Sequence, residues 1–209
     1  MRLVNRVLLA TENRNKFDEF KALFHAFPEV NLLMANEILR NTDGLKFVER
    51  YDTYLENALA KARLVNQGAH YPSLADDSGL EVEGLGGKPG VRSHRYATPK
   101  AGLSQDEANV QLMLKELTGK PRNAKFVCTL ALLVEGILVH ATGTLDGTIA
   151  EAPRGTHGFG YDSIFIPNGS NKTLAEMTSA EKNAISHRNK ALQLLMLQVR
   201  QHEITFAKP

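Results

Sequence analysis

The sequence predicts an α/β fold in which a mixed β-sheet is flanked by helices. Short apolar runs that end in polar turns alternate with segments in which apolar residues recur every three or four positions. Two long strand-like segments flank Glu135 and Gly136, which predicts an antiparallel hairpin. Because crossovers and a hairpin occur in one chain, we expect a sheet with both parallel and antiparallel neighbours.

The chain opens with a predicted strand, a polar turn and a helix. The strand covers residues 7–10 and ends at Thr11, and Pro28 ends the helix. The apolar face of that helix consists of Phe17, Phe20, Leu23, Phe24 and Phe27. Residues 30–35 are predicted to form a second strand.

The remaining predicted elements follow in order along the chain. Ser104 with Glu107, and Thr178 with Glu181, have the spacing of a capping box and mark two helix starts. The elements are a helix over 53–66, a strand over 72–75, a glycine-rich loop over 84–90, a helix over 104–117, hairpin strands over 125–134 and 136–148, a glycine-rich loop over 152–162, a strand over 163–167 and a helix over 178–200.

Composition narrows the class of protein. The chain has 209 residues, of which 43% are hydrophobic, and a formal net charge of +2, so it resembles a compact globule rather than a polybasic nucleic-acid binder. The single cysteine, Cys128, lies in an apolar run and cannot form an internal disulfide, which is typical of a reducing compartment. No run approaches the roughly 20 apolar residues of a membrane span. We therefore expect a cytoplasmic protein with no membrane or nucleic-acid partner.

An acidic segment, Ala75-Asp76-Asp77-Ser78-Gly79, follows a short apolar strand. Carboxylate oxygens suit Mg²⁺, and a carboxylate there could also deprotonate a water. Neighbouring residues in a strand point to opposite faces, so we expect only one of Asp76 and Asp77 to face a site. The alternative is a turn at the strand end, in which Gly79 allows a positive φ.

The polar turn before the first helix is a candidate phosphate site. A helix N-terminus offers free backbone N–H groups, Thr11 and Asn13 add hydrogen bonds, and Lys16 adds a positive charge. In the alternative, Asn13 only caps the helix and Lys16 is a solvated surface residue. Farther along, Glu49 or Glu56 could complete a metal site, and Lys61 could reach a phosphate. Judged alone, each is more often a solvated helix or loop charge.

Two later segments are candidates for recognising a base. In the loop 155–162, Phe159 and Tyr161 could stack on a flat ligand and Asp162 could read its edge. The alternative there is a glycine-rich turn with buried aromatic rings. In the last predicted helix, Lys182 and Ser186 share a face, and His187 and Arg188 follow. Polar residues of an amphipathic helix usually face solvent, and no second histidine stands at the spacing of a zinc site.

Taken in order, these motifs resemble the inosine triphosphate pyrophosphatase family, also called the Ham1 or non-standard purine NTP pyrophosphatase family. The resemblance covers residues 7–195. It is carried by Thr11-x-Asn13-x-x-Lys16, Glu56-Asn57-Ala58, Ala75-Asp76-Asp77-Ser78-Gly79-Leu80, Leu85-Gly86-Gly87-x-Pro89-Gly90-Val91, Phe159-Gly160-Tyr161-Asp162 and Glu181-Lys182-Asn183-Ala184-Ile185-Ser186-His187-Arg188.

The resemblance implies a Mg²⁺-dependent enzyme that hydrolyses ITP, dITP and XTP to the nucleoside monophosphate and pyrophosphate. It also implies one domain over residues 1–209, an elongated mixed sheet in two lobes with a central substrate cleft, and a homodimer. Carried over by motif, Asp77 would be the general base and would bind the metal with Glu49. Residues expected to bind the substrate are Thr11, Asn13, Lys16, Lys61, Ser78, Phe159, Gly160, Tyr161, Asp162, Lys182, His187 and Arg188.

Three other functions stay open on the sequence. A related pyrophosphatase of the Maf type would act on pyrimidine or modified nucleotides. A nucleotide sensor would bind its ligand without turnover and would need no general base, so Asp77 separates it from an enzyme. A nucleic-acid-binding domain is disfavoured by the low net charge.

Overall fold

The structure is a computed structural model that describes residues 2–4, 6–39, 43–46, 49–99 and 101–206. Over these residues the chain forms two compact units. The first unit comprises Met1–Asp77, Cys128–Gly143 and Arg188–Pro209, and the second comprises Ser78–Val127 and Thr144–His187. In the described part of the chain, no helix is both long and apolar enough to cross a membrane.

Strands and helices are interspersed along the chain. The helices are α1 (Arg14–Leu23), α2 (Tyr54–Ala69), α3 (Gln105–Glu116), α4 (Ser179–Ile185) and α5 (His187–Gln201). The strands are β1 (Arg2–Val4), β2 (Val7–Leu9), β3 (Leu32–Met34), β4 (Ser73–Val82), β5 (Pro89–Gly90), β6 (Asn123–Val134), β7 (Ile137–Ile149), β8 (Phe165–Pro167) and β9 (Ile204–Phe206).

The larger sheet is mixed, as the sequence predicted. Its strand order is β3-β2-β4-β6-β7-β8, and β5 pairs with β4. Strand β2 is parallel to both β3 and β4, whereas β7 is antiparallel to β8. The predicted hairpin is confirmed: β6 and β7 are neighbours joined by Glu135 and Gly136, both at positive φ, the conformation that a two-residue hairpin turn needs. A separate parallel pair joins β1 to β9.

Each unit has a core of its own. The predicted apolar face of the first helix is buried in the first unit, where Phe17, Phe20 and Leu23 pack with residues of β6 and α5, including Cys128 and Leu192. The core of the second unit contains residues from β4, α3, β7 and the segment from the end of the second glycine-rich loop to β8. It includes Leu80, Met113, Leu145, Tyr161 and Phe165.

Strand β4 is longer than predicted. The sequence indicated a strand over 72–75 that ends at the acidic segment, but the strand runs for ten residues through both aspartates. Asp76 and Asp77 therefore lie inside a strand between β2 and β6, and the turn alternative is wrong. Charged residues inside a buried strand are tolerated because cationic side chains from elsewhere in the chain neutralise them.

The last predicted helix is two helices. Ser186 has an extended conformation (φ −64°, ψ 150°) and separates α4 from α5. The apolar spacing continues across this break and no proline or glycine marks it, which is why the sequence indicated one helix. Polar residues of an amphipathic helix usually face solvent, but four polar residues at or near this junction are buried: Lys182, Ser186, His187 and Arg188.

Candidate active site

Two adjacent buried carboxylates of β4 face cations in the first unit. Asp76 and Asp77 are 1% and 4% exposed. Oδ2 of Asp76 accepts a hydrogen bond from Nζ of Lys16 at 2.8 Å, and Oδ1 of Asp77 lies 3.9 Å from Nζ of Lys61. Each aspartate thus approaches a different lysine: Lys16 of α1 lies against Asp76, and Lys61 of α2 lies near Asp77. Both carboxylates contribute to one cluster of charges.

Lys61 joins a third carboxylate to this cluster. Its ammonium lies 2.6 Å from Oε1 of Glu49, in the segment before α2. Glu49 and Asp77 therefore approach the same ammonium group. Glu56 has different contacts: it is exposed and forms hydrogen bonds with Thr53 at the start of α2. Of the two glutamates considered from the sequence, Glu49 is the one beside Asp77.

The two aspartates have opposite pKa shifts. Burial raises the pKa of Asp77 to about 6; the charge of Lys61 lowers this value and that of Glu49 adds to it. Burial would also raise the pKa of Asp76, but the charges of Lys16, Lys61 and Arg188 outweigh burial and hold that pKa well below its ordinary value. Asp76 thus stays ionised, whereas Asp77 can exchange a proton near neutral pH.

The remaining acid and base of the cluster hold each other charged. Burial alone would raise the pKa of Glu49, but the charge and hydrogen bond of Lys61 lower it. Burial alone would lower the pKa of Lys61, but Asp76, Glu49 and Asp77 together raise it. Their ion pair is therefore maintained across the neutral range.

The turn between β2 and α1 has the structural role that the alternative interpretation gave it. Oδ1 of Asn13 accepts the backbone N–H of Lys16 and so caps α1, as the alternative interpretation proposed. The backbone N–H of Asn13 in turn donates to Oγ1 of Thr11. Lys16 is not a solvated surface residue, since its ammonium is paired with buried Asp76. The turn therefore aims one lysine at the acidic strand.

In the second unit, Phe159, Asp162 and Lys182 form a compact cluster. Oδ2 of Asp162 accepts the backbone N–H of Phe159 at 2.9 Å and a hydrogen bond from Nζ of Lys182 at 2.6 Å. The same ammonium lies 4.9 Å from the centre of the Phe159 ring. Asp162, which the sequence suggested as a reader of a base edge, here fixes the loop backbone and the lysine.

The glycines of this loop are required by close approach. Gly158 has a φ of 77°, and a Cβ there would collide with the carboxylate of Asp162. A Cβ on Gly155 would collide with the backbone at Ala175. The carbonyl oxygen of Ala175 accepts hydrogen bonds from the backbone N–H groups of Thr156 and His157, which follow Gly155. Gly160 also has a positive φ, but the space beside it is open. The loop is therefore closely fitted around Asp162.

Two other predicted site residues, Tyr161 and His187, are buried. Tyr161 is 5% exposed, and its hydroxyl donates to the carbonyl oxygen of Ser93, so little of the ring is left to stack on a ligand. The buried-aromatic alternative therefore describes Tyr161, and stacking would fall to half-buried Phe159. His187 is buried, with its ring stacked on Phe126 at 4.9 Å. Ser78, which follows Asp77 in β4, is only partly buried.

Comparison with known proteins places the chain in a family. A model described as the Ham1 family matches residues 7–198. The chain belongs to the Ham1 family. This confirms the resemblance drawn from the six ordered motifs, over nearly the same residues.

Named relatives of this Ham1 chain are bacterial proteins of similar length. One from Geobacillus kaustophilus (strain HTA426), called dITP/XTP pyrophosphatase, is 42% identical to this chain. The match covers 92% of this chain and 93% of the length of that protein. Proteins with the same name from Frankia alni and Bacillus subtilis (strain 168) are each 40% identical, over 94% and 93% of this chain and 98% and 97% of their own.

Solved structures of Ham1 proteins share the fold. The Staphylococcus aureus Ham1 protein matches with a TM-score of 0.80 and 33% identity, covering 95% of this chain and 100% of the other. A HAM1 protein from Coxiella burnetii matches with a TM-score of 0.79 and 35% identity, covering 94% and 100%. The mixed α/β architecture predicted from the sequence is therefore that of the family.

Two carboxylates of this Ham1 chain, Glu49 and Asp77, are the candidate ligands for a magnesium ion. Among the residues described, no three His, Cys, Asp or Glu side chains are grouped to hold a metal. Glu49 and Asp77 do converge on Lys61, and the charge of Glu49 helps to raise the pKa of Asp77, which a divalent cation would relieve. Mg²⁺ commonly takes one or two protein carboxylates and completes its shell with phosphates and water.

One residue of this Ham1 site was not singled out from the sequence. Asn57, in α2, is fully buried, and its Nδ2 donates to Oδ2 of Asp77 at 3.0 Å. The same side chain donates to the carbonyl oxygen and accepts the N–H of Tyr51. Asn57 therefore fixes the orientation of Asp77. The available signal was an asparagine beside the apolar residues of a helix face, where a buried amide needs specific partners.

Proposed function

We propose that this chain is a nucleoside triphosphate pyrophosphatase that removes dITP, XTP and ITP from the nucleotide pool. The products are the nucleoside monophosphate and pyrophosphate. Named relatives that are 40–42% identical are dITP/XTP pyrophosphatases, which supports the substrate class. The observation that carries the proposal is the pair of buried aspartates of β4, each of which approaches a lysine ammonium group.

Asp77 acts as the general base. Without a bound cation, burial raises the pKa of Asp77 to about 6, so this carboxylate accepts a proton more readily than an ordinary aspartate does. The water oxygen forms a bond to the α-phosphorus while the bond from that phosphorus to the bridging oxygen breaks. Pyrophosphate leaves, and the proton of the water passes to Asp77. Asn57 holds the carboxylate in place for this transfer.

Lys16 and Lys61 bind phosphate oxygens during the reaction. Both ammonium groups already lie against carboxylates. The cluster comprises four carboxylates (Glu19, Glu49, Asp76, Asp77) and three cations (Lys16, Lys61, Arg188). Four negative and three positive charges leave a formal net charge of −1, so the cluster alone does not compensate a triphosphate. This balance calls for an additional cation.

Asp77 and Glu49 would hold that cation as Mg²⁺. When bound, Mg²⁺ supplies positive charge that stabilises the negative charge developing on pyrophosphate. The lysine ammonium that both carboxylates now approach would then be free to contact phosphate. Asp76 keeps its negative charge and positions Lys16.

Selection for the base belongs to the second unit. Phe159 offers a ring for stacking, and Lys182 offers a donor suited to the 6-oxo group of ITP, dITP and XTP. The 6-amino group of ATP would leave that donor unpaired, a mismatch that discriminates strongly. GTP shares the 6-oxo group and must be rejected at its 2-amino group. We also propose a homodimer, on the family resemblance alone, to be tested by light scattering of the purified protein.

A turnover panel tests the proposal. The protein is incubated with ITP, dITP, XTP, GTP, ATP, dTTP and UTP in the presence and absence of Mg²⁺, and pyrophosphate and orthophosphate are assayed separately. We expect pyrophosphate from the first three substrates, only with Mg²⁺. Orthophosphate as first product, equal rates on ATP, or preference for dTTP or UTP would overturn the proposal. Binding of ITP without turnover would indicate a sensor instead.

A further inference from the structure

A carboxylate on α3 holds the glycine-rich loop of the second unit. Oδ2 of Asp106, in the first turn of α3, accepts the backbone N–H of Gly160 at 2.7 Å. The two residues are 54 positions apart. Gly160 lies between Phe159 and Tyr161, at a positive φ of 62°. A helix distant in sequence therefore fixes the backbone next to the ring proposed to stack on the base.

The same helix has a second attachment to this region. Asn109, one turn after Asp106, is 1% exposed, and its Nδ2 donates to the carbonyl oxygens of Ser93 and His94. The carbonyl oxygen of Ser93 also accepts the hydroxyl of Tyr161 at 2.8 Å. Asn109 therefore positions the acceptor that anchors Tyr161, while Asp106 holds the adjacent backbone directly.

Two carboxylates hold consecutive N–H groups of the loop. Asp162 accepts from Phe159, and Asp106 accepts from Gly160. Asp162 also receives the ammonium of Lys182, which lies over the Phe159 ring. The placement of the ring against the ammonium therefore depends on an anchor within the loop and on one from α3. Hydrogen bonds to ionised acceptors are about twice as strong as neutral ones, so each anchor is effective.

We propose that Asp106 is a positioning residue for base discrimination: it holds the Phe159–Gly160 backbone and so sets the stacking ring against Lys182. It acts on recognition of the purine rather than on cleavage of the phosphoanhydride. The inference rests on the proposed function, and it adds a residue to which neither the motifs nor the family comparison assigns a role.

Glu107 provides a matched control on the same turn of the helix. Its carboxylate accepts hydrogen bonds from the backbone N–H and the hydroxyl of Ser104 and so caps α3. Neither of these hydrogen bonds involves the glycine-rich loop that contains Gly160. Both acids favour the positive end of the helix dipole. Asp106→Ala and Glu107→Ala therefore remove the same charge from the same turn, and only the first removes a loop anchor.

The test measures kcat and KM for dITP, XTP and dATP, and the dissociation constants of IMP and AMP, with wild type, Asp106→Ala, Asp106→Asn and Glu107→Ala. Losing a charge-assisted hydrogen bond predicts that Asp106→Ala raises the KM for dITP about tenfold and reduces the dITP-to-dATP preference, with kcat nearly unchanged. Asp106→Asn retains an acceptor oxygen and should restore part of both. Glu107→Ala should lower the melting temperature but leave KM and preference near wild type.

Equal effects of Asp106→Ala and Glu107→Ala on KM and preference would overturn the inference. If Asp106→Ala does not fold, unchanged KM and preference in Asp106→Asn would overturn it, and a partial rise in KM with reduced preference would support it. If the wild type hydrolyses none of the substrates, the proposed function fails. The ratio of the IMP and AMP dissociation constants then still decides whether Asp106 controls base preference.

Discussion

Arg188 and Glu19 are 169 residues apart in the chain, and Nη1 of the arginine donates to Oε2 of the glutamate at 2.9 Å. Arg188 is the second residue of α5, and Glu19 lies on α1, one turn after Lys16. Both side chains are largely buried. The pair holds a guanidinium where its charge helps to keep Asp76 ionised. Glu19 thereby supports the charge balance of the candidate site from outside the sequence motifs.

Glu19→Gln should destabilise the protein. Removing the charge leaves a buried guanidinium with a weaker partner, and we expect a loss of about 1–3 kcal/mol in the free energy of unfolding. Urea denaturation at pH 7 would measure it. The control is Asp18→Asn on the same helix, which breaks an exposed pair with Arg14 and should cost less than about 0.5 kcal/mol. Equal effects of the two variants would contradict the assignment.

Asp77→Asn should abolish turnover and yet stabilise the protein in a chelator. Burial raises the pKa of Asp77 from 3.8 to about 6, so the folded state disfavours its ionised form. The stability of the wild type therefore falls as pH rises from about 4 through 6, whereas asparagine has no charge to bury. We expect the variant to be more stable by about 1–3 kcal/mol at pH 7.5, and the difference to vanish near pH 4.

Denaturation of both proteins across pH 4–8 in EDTA would measure that difference, and a pyrophosphate assay would measure the loss of activity. A general base contributes about 10²–10⁴-fold, so near-normal turnover would exclude Asp77 from that role. A variant less stable than the wild type at pH 7.5 would contradict the burial argument.

Asp76→Asn should have the opposite effect on stability. The pKa of Asp76 is depressed in the folded protein, so its contribution is present above the unfolded pKa and is lost as pH falls. Replacing it leaves Lys16 without its buried partner, and we expect a cost on the order of 3 kcal/mol at pH 7. Urea denaturation should show this cost shrinking below about pH 4, where the carboxylate takes up protons in the unfolded chain while it stays ionised in the folded protein. A stability gain like that expected for Asp77→Asn would contradict the ion-pair assignment.

Gly158→Ala should disrupt the second unit. The added methyl group meets the carboxylate of Asp162, which must move and release Phe159 and Lys182. We expect a lower melting temperature and a large loss of turnover on dITP. Gly169→Ala is the control, since Gly169 has a similar φ of 82° with open space around it and should cost only the backbone strain of about 1–2 kcal/mol. Similar activity losses in both variants would show that strain alone matters.

Much of the architecture could be predicted because apolar spacing reports local structure. The opening strand and helix, the hairpin at Glu135-Gly136 and the capping boxes of α3 and α4 are all present. The acidic segment was located, and the ordered motifs led to the correct family. These are properties of neighbouring residues, whose side chains and turn conformations are determined over a few positions.

The partners of the charged residues depended on tertiary structure. The sequence placed Asp76 and Asp77 together but indicated that they ended a strand, because nothing nearby in the chain neutralises them. In the fold, Lys16 reaches one and Asn57 the other, from 60 and 20 residues away. The break at Ser186 and the burial of Lys182 likewise lack a local signal. By itself the sequence determined where the acidic residues lie; only the fold decided which of them keeps its charge, since that depends on burial and on cations distant in the chain.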